Sequence, residues 1–372
     1  MIHKTFDNDL APSDVYSWQA PELAWFLDNN LYGFLNKIDR SRTSIYINMN
    51  RFGNLPVCDT DIAIISMFGE TPRFETVHSF CGKNVDCRVI LLGDFDLYDY
   101  PLPDQVTFLS YRHWIWYLDW LVNSKQKFPI GVKQKKIDYK FSSLSFKESQ
   151  FRALVTCWLL SNARSDSLVS WHAIKNLEKD YLITAMKDYP KFRDLDWSQI
   201  EHKHLIDSFS EPNNTPISNL LDMHHPGYAG ALININNETC NFGWLHADDG
   251  TSYNRPGPYL TEKTWKSLLS GCVPLNSGQP GLYKWLDTAY DIPCKWSIPT
   301  EYDQEIKDFD RAHMLVQTLE YLDKQDLSSL IDSNIDYCEI VQNQLLNNDY
   351  IEHIYNFNRK QDEKILKICG SV

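Results

Sequence analysis

The stretch with the clearest chemistry runs from Pro258 to Gly281 and reads Pro-Tyr-Leu-Thr-Glu-Lys-Thr-Trp-Lys-Ser-Leu-Leu-Ser-Gly-Cys-Val-Pro-Leu-Asn-Ser-Gly-Gln-Pro-Gly. Thr261 suits a helix N-cap, Trp265, Leu268 and Leu269 supply a buried i, i+3, i+4 stripe, and Gly271 with Pro274 ends the helix. Lys263 then falls in the first turn, where a cation opposes the helix dipole at a cost of about 0.3–1 kcal/mol. A bound anion removes that conflict. A phosphate there would take backbone N–H groups and the Lys263 ammonium together, while Glu262 could accept from ribose hydroxyls. The competing reading of Lys263 is a surface lysine. Beyond the helix, Cys272 to Asn276 reads as a buried strand and Gly278-Gln279-Pro280-Gly281 as a tight turn into another helix. Glycines there let a ligand approach the backbone, although a simple strand-to-helix turn uses them too.

Other constellations are weaker. Arg88-Val-Ile-Leu-Leu-Gly-Asp94-Phe-Asp96 is an apolar run ending in Asp-x-Asp, and carboxylate oxygens at such spacing suit a hard divalent cation on a diphosphate. Aspartates at strand ends are also common without any metal. His224-His225 and His202-x-His204 lack a third ligand at metal spacing. Dinucleotide, Walker and serine-hydrolase signatures are absent from the sequence. Trp114, Trp116 and Trp120 invite a stacking role, but tryptophans spread around a short helix belong more often to a core.

The elements that must position these residues alternate in type. Leu23 to Leu35 has helical spacing, Thr43 to Met49 is strand-like, and Asp61 to Met67 is a continuous apolar strand ending near Glu70. Arg88 to Leu92 repeats that pattern and Tyr111 to Val122 reads as an aromatic helix. Continuous apolar runs imply strands covered on both faces, as in parallel sheets. Lys125 to Lys136, with Pro129 and Gly131, is the best linker. The pattern then restarts with strand Tyr139 to Leu144, helix Phe151 to Ser161, and strands Ala231 to Asn236 and Phe242 to Ala247. From Glu305 onward the composition is helical. The expected organisation is an N-terminal α/β domain over 1–130, a second α/β domain over 137–350 and a C-terminal helix over 351–372. Ligands of open parallel sheets bind at the carboxyl ends of the strands, so the site is expected in the cleft between the units.

A chain of 372 residues with 43% hydrophobic and 23% charged residues is neither a small scaffold nor wholly disordered. Apolar runs are too short for a membrane span, and the N-terminus lacks a signal-peptide core, which points to the cytoplasm. Nine scattered cysteines without a Cys-x-x-Cys pair read as reduced thiols. The net charge of −13 argues against a surface that grips nucleic acid throughout. Between Lys125 and Arg152, however, eight basic residues face only Asp138 and Glu148, which is either a solvated flank or an anion-facing segment.

The order Asn234-Ile-Asn-Asn-Glu238-Thr239, Tyr259-Leu-Thr-Glu-Lys-Thr264, Leu269-Ser-Gly-Cys-Val-Pro274 and Gly278-Gln-Pro-Gly281 resembles the donor-binding half of bacteriophage and bacterial glycosyltransferases of the two-Rossmann, GT-B type. Its Thr-Glu-Lys motif is similar to that of α-1,3-fucosyltransferases. Tyr139 to Arg152, with Leu168-Val-Ser-Trp171 beyond, resembles the opening strand, loop and helix of that half, so the likeness covers about residues 137 to 290. The resemblance implies two Rossmann-like domains facing a central cleft, and a nucleotide-diphosphate sugar as co-substrate without a resident cofactor or required metal. It makes Thr261, Glu262, Lys263, Gly278 and Glu238 donor-binding residues. Relatives carry an Asn-Arg-x-Pro pattern after the opening strand; here Ser145-Phe-Lys-Glu-Ser149 leaves Lys147 and Arg152 as the loop's cations for the diphosphate.

An inverting enzyme of this type needs a base in the N-terminal domain. Glu70 and Asp94 meet the positional requirement, Asp96 less well, and His78 and His113 have the better unperturbed pKa. The acceptor hydroxyl would lie on a hydroxymethylated pyrimidine in phage DNA, gripped through the basic 125–152 segment, or on a glycan. Two alternatives stand beside this reading. One is a single-Rossmann, metal-dependent transferase using Asp94 and Asp96; the other is a non-catalytic nucleotide-sugar or glycan-binding module.

Overall fold

Four short apolar runs assemble into a first parallel sheet in sequence order: β1 (Thr43–Ile47), β2 (Ile62–Ser66), β3 (Arg88–Gly93) and β4 (Val106–Ser110). The register sets Ile62 opposite Arg88 and Leu91 opposite Phe108. Strand side chains alternate between faces, so each run feeds two cores. Ile62, Ile64, Ile90 and Leu92 enter one cluster. Ala63, Ile65, Val89 and Leu91 enter another, closed by Val77, Phe80 and Cys81 of helix α1 (Phe74–Lys83). This two-sided burial explains why the sequence shows continuous apolar runs where a half-exposed strand would alternate.

The computed structural model describes residues 33–34, 37–39, 41–47, 58–67, 74–97, 101–115, 118–119, 122, 131–145, 150–171, 192–196, 226–236, 257–258 and 260–370. Among them a second parallel sheet runs in the order β6-β5-β7-β8, from β5 (Tyr139–Ser145), β6 (Ser167–Trp171), β7 (Ala231–Asn236) and β8 (Val273–Asn276). The chain steps from β5 outward to β6 and then crosses to the other side of β5, which makes the boundary between β5 and β7 a topological switch point. Such a point opens a crevice at the carboxyl ends of the strands. Helix α2 (Gln150–Asn162) follows β5, and its Leu154 and Trp158 lie in the core with Phe141. Helices α3 (Pro226–Ala229), α4 (Glu262–Leu269) and α5 (Leu282–Tyr290) complete this unit. The fold is therefore α/β, with two parallel sheets and, among the described residues, eight helices.

Three long helices end the chain: α6 (Asp308–Lys324), α7 (Leu327–Leu345) and α8 (Asn348–Ile368). The last begins three residues before the expected boundary at 351 and returns to the first sheet. There Tyr111 donates to Asp362 at 3.1 Å, Asn358 exchanges two hydrogen bonds with the Arg112 backbone at 2.9 and 3.0 Å, and Tyr355 donates to Asp119 at 2.8 Å. None of the described helices is long and apolar enough to cross a membrane.

The segment expected as a linker is anchored where it is described. Val132 is buried so closely against Gly271 that a Cβ on the glycine would stand 2.3 Å from it. The Lys135 ammonium donates to the carbonyls of Ala231 at 2.6 Å and Ser270 at 3.2 Å. Residues 131–136 thus strap the second sheet, and a Pro-Gly-Lys composition concealed it because the partners of those lysines are distant carbonyls. The helix over Leu23 to Leu35 falls mostly outside the described residues, and the strand Phe242 to Ala247 does so entirely.

Candidate functional site

At the start of α4, Thr261 is extended and its side chain accepts the Lys263 N–H at 3.3 Å, as an N-cap should. The Lys263 ammonium curls back to 3.4 Å from the same hydroxyl and is half-buried. Trp265, Leu268 and Leu269 bury the opposite stripe. Thr264 accepts from the Asn236 side chain at 3.2 Å, and the Asn236 carbonyl accepts from the Ser277 N–H at 3.1 Å and hydroxyl at 3.0 Å. These bonds gather the carboxyl ends of β7 and β8 and the amino end of α4 at one place. A cation and diverging N–H donors stand together there, which is a geometry for an anion.

The turn after β8 is held from beneath by polar side chains that local sequence does not reveal. Asn276 accepts the Gly278 N–H at 2.8 Å and donates to the Gln279 carbonyl and to Asp303, both at 2.5 Å. Asp303 accepts the Tyr283 N–H at 3.0 Å, its own carbonyl accepts the Gly281 N–H at 2.6 Å, and Arg311 donates to the Gly278 carbonyl. Burial pushes the Asp303 carboxyl up to about 7, against the opposing pull of Asn276, the Tyr283 N–H and Arg311. The left-handed residue of the turn is Gly281, at φ 91°, which a side chain would strain. Gly278 is buried in the same turn with its N–H and C=O both used.

The two sheets meet at this edge. Asp96, three residues beyond β3, exchanges backbone hydrogen bonds with Gly257 at 3.0 and 3.1 Å. Gly257 in turn lies so close to Gln279 that a Cβ would stand 2.7 Å from its side-chain carbon. The β8 turn and the carboxyl end of β3 are therefore neighbours. Beside them Asp94 is 2% exposed, accepts from the Tyr290 hydroxyl and lies 3.9 Å from Arg112. Burial raises the Asp94 carboxyl above its ordinary range, against the Arg112 charge and the Tyr290 hydrogen bond. Arg112 also donates to the Ala289 carbonyl at 2.9 Å and sits 4.8 Å from the Trp285 ring and 4.4 Å from the Phe357 ring. It thereby joins β4 to α5 and α8.

Of the residues singled out from sequence, Thr261, the Glu262 backbone and Lys263 share the start of α4, and Gly278 lies in the turn after β8, linked to that helix through Ser277, Asn236 and Thr264. Glu70, Lys147 and Glu238 lie outside the described residues. Arg152 is 3% exposed in the buried body of α2, where a freely approaching diphosphate would not reach it. His113 is 1% exposed and burial, with the Arg112 charge, lowers its pKa to about 3, so it stays neutral. His78 stands exposed on α1. Asp94 is sealed by Tyr290 and Arg112, which corrects its reading as a base open to substrate and, equally, as half of an open metal-binding pair. Within the basic segment, Lys140 caps the end of α6 through the carbonyls of Asp323 and Gln325, both at 2.7 Å, and Lys125, Lys127 and Lys147 lie outside the described residues. Lys135 is used as described above, Lys133 pairs with Asp336 and Glu339, and Lys136 pairs with Asp138. Asn276, Asp303 and Arg311 are the site residues that sequence reasoning missed.

Neither the protein-family models, nor the curated proteins, nor the solved structures contain a match to this chain.

Proposed function

We propose that the chain is a glycosyltransferase of the two-Rossmann type, moving a sugar from a nucleotide-diphosphate donor to an acceptor hydroxyl. The observation that carries this reading is the convergence of a half-buried Lys263, the capped amino end of α4 and the Gly278–Gly281 turn at the carboxyl ends of β7 and β8. The meeting of the two sheet edges through Asp96 and Gly257 supports a cleft with the donor on one wall and the acceptor on the other. The return of α8 to the first sheet supports a joint arrangement of the two units.

In this reading the α4 N–H groups and Lys263 hold the diphosphate, and Glu262 meets the ribose. As the bond from the sugar to the β-phosphate oxygen lengthens, negative charge grows on the departing nucleoside diphosphate and Lys263 offsets it. The acceptor oxygen forms the new bond to the anomeric carbon, and in an inverting reaction its proton passes to a carboxylate on the first unit. Glu70, Asp96 and His78 remain the candidates for that role, because Asp94 is sealed by Tyr290 and Arg112. Asn276, Asp303 and Arg311 fix the turn under the donor. The acceptor is a hydroxyl of a glycan or of a modified base.

Thermal shift with UDP, GDP and CMP, each with Mn²⁺ and with EDTA, tests the donor site, since a ligand of the native state raises the midpoint. One nucleoside diphosphate is expected to raise it without metal, and Lys263→Ala should abolish the rise. Absence of a shift with every nucleotide would overturn the proposal, and a shift requiring Mn²⁺ would move it to a metal-dependent donor site. Nucleotide binding without sugar transfer to any acceptor would reduce the protein to a binding module.

A further inference from the structure

At the opposite edge of the first sheet, two cysteines stand at the entrances of adjacent strands. Cys87 immediately precedes β3 and Cys58 lies four residues before β2, while Ile62 of β2 pairs with Arg88 of β3. Asn84 ties both cysteine backbones to one point: its side chain accepts the Cys58 N–H, and its carbonyl accepts the Cys87 N–H at 3.0 Å. Gln105 braces the same spot by donating to the Asn84 carbonyl at 2.7 Å and the Cys87 carbonyl at 3.0 Å. The Cys58 side chain packs onto the buried cluster that contains Tyr46, Cys81 and Cys87, and the Cys87 thiol lies 3.6 Å from the Arg88 carbonyl. Thr60 places its hydroxyl 3.2 Å from the Cys58 sulfur.

The two thiols differ as an attacking and a resolving thiol must. Cys58 is half-buried, whereas Cys87 is 5% exposed. The neighbouring Cys87 thiol and the Thr60 hydroxyl hold Cys58 below the ordinary thiol range, which favours its thiolate. The neighbouring Cys58 and burial push Cys87 up and keep its proton. Cys81, at 4% exposure, is pushed up to about 11 by burial alone. The sheet edge thus presents one accessible thiolate backed by one protonated thiol.

We propose that Cys58 and Cys87 are a peroxide-reactive pair that closes a reversible disulfide between the starts of β2 and β3. The Cys58 thiolate sulfur attacks one oxygen of hydrogen peroxide, the O–O bond breaks, and hydroxide departs, leaving a sulfenic acid. The Cys87 sulfur then attacks the Cys58 sulfur, the S–O bond breaks, and the hydroxide leaves as water with the Cys87 proton. In sum two thiols and one hydrogen peroxide give one disulfide and two waters, with both sulfurs oxidised and both peroxide oxygens reduced. The pair lies away from the proposed donor site and does not depend on that reading.

The full chain is treated with hydrogen peroxide under native conditions, blocked with iodoacetamide, digested without reduction and mapped by mass spectrometry. A peptide pair joined through Cys58 and Cys87, released by dithiothreitol, is expected. Cys87→Ser should remove the link and leave a Cys58 sulfenic acid that dimedone traps, while Cys81→Ser should leave the link intact. The wild-type arm decides the matter even where a variant folds poorly. Recovery of Cys58 as the alkylated thiol after peroxide, or a link running to Cys81 instead, would overturn the proposal.

Discussion

The hydroxyl of Tyr290, the last residue of α5, donates to the buried carboxylate of Asp94 at the end of β3, across 196 residues of chain. This bond and the neighbouring Arg112 charge join the first sheet to the helices of the second unit. A buried carboxylate tolerates its environment only while hydrogen bonds and an opposite charge replace water. Tyr290→Phe should therefore cost about 1–3 kcal/mol in urea unfolding, because the carboxylate loses its donor. Asp94→Ala should cost more, about 3–5 kcal/mol, because it leaves the buried Arg112 guanidinium without its counter-charge. The double variant should cost less than the sum, since both changes act on one bond. Additive costs would mean that the two side chains act independently.

Burial pushes the carboxyl of Asp362 on α8 up to about 7, where it accepts from Tyr111 at 3.1 Å. The folded chain therefore keeps a proton that the unfolded chain, with an ordinary aspartate near 3.8, has already released. Stability from this group is complete below the unfolded pKa and is lost as pH rises toward 7. Asp303 acts in the same direction. Each bound proton contributes a slope of at most about 1.4 kcal/mol per pH unit. Asp362→Asn retains an oxygen for Tyr111 and should flatten the fall in the unfolding midpoint between pH 5 and 7 by one proton's share. A wild-type midpoint that rises over that interval while the variant's does not would contradict the sign.

Thr261 and Lys263 separate folding from binding within one helix turn. Thr261→Ala removes the cap and should lower stability by about 1 kcal/mol, with Thr261→Ser restoring most of it. Lys263→Ala removes a half-buried ammonium that also lies 3.4 Å from the Thr261 hydroxyl. Its expected effect is on nucleoside-diphosphate affinity, a loss of about 10- to 100-fold, from one charge-assisted hydrogen bond of roughly 1.5–3 kcal/mol. Unchanged affinity in Lys263→Ala would return Lys263 to the reading of a surface lysine.

The strands and the α4 cap were legible because their causes are local. Ile62–Ser66, Arg88–Gly93 and Ala231–Asn236 are buried on both faces, and that burial appears in the sequence as uninterrupted apolar runs. Thr261 announces its helix because capping involves residues two positions apart. The support of the Gly278 turn was illegible because Asp303 and Arg311 lie 27 and 33 residues from the groups they bind. Asp94 was misread for the same reason: a carboxylate at a strand end signals a cleft only until its partner Tyr290 is known. Charge counting over 125–152 does not reveal that Lys135 and Lys140 place their ammonium groups on distant backbone carbonyls.

That use of Lys140 gives a test of the acceptor. A lysine tracking DNA phosphates adds about 0.9 to the slope of log affinity against log salt, and its removal weakens binding without unfolding the protein. Lys140 instead is 4% exposed and satisfies two carbonyls at the end of α6, where its charge also suits the helix dipole. Lys140→Ala should lower stability by about 1 kcal/mol, because two part-buried acceptors lose their donor. With DNA as acceptor, the salt slope of the variant should equal that of the wild type. A shallower slope at unchanged stability would place Lys140 on phosphate and restore the basic segment as a nucleic-acid contact.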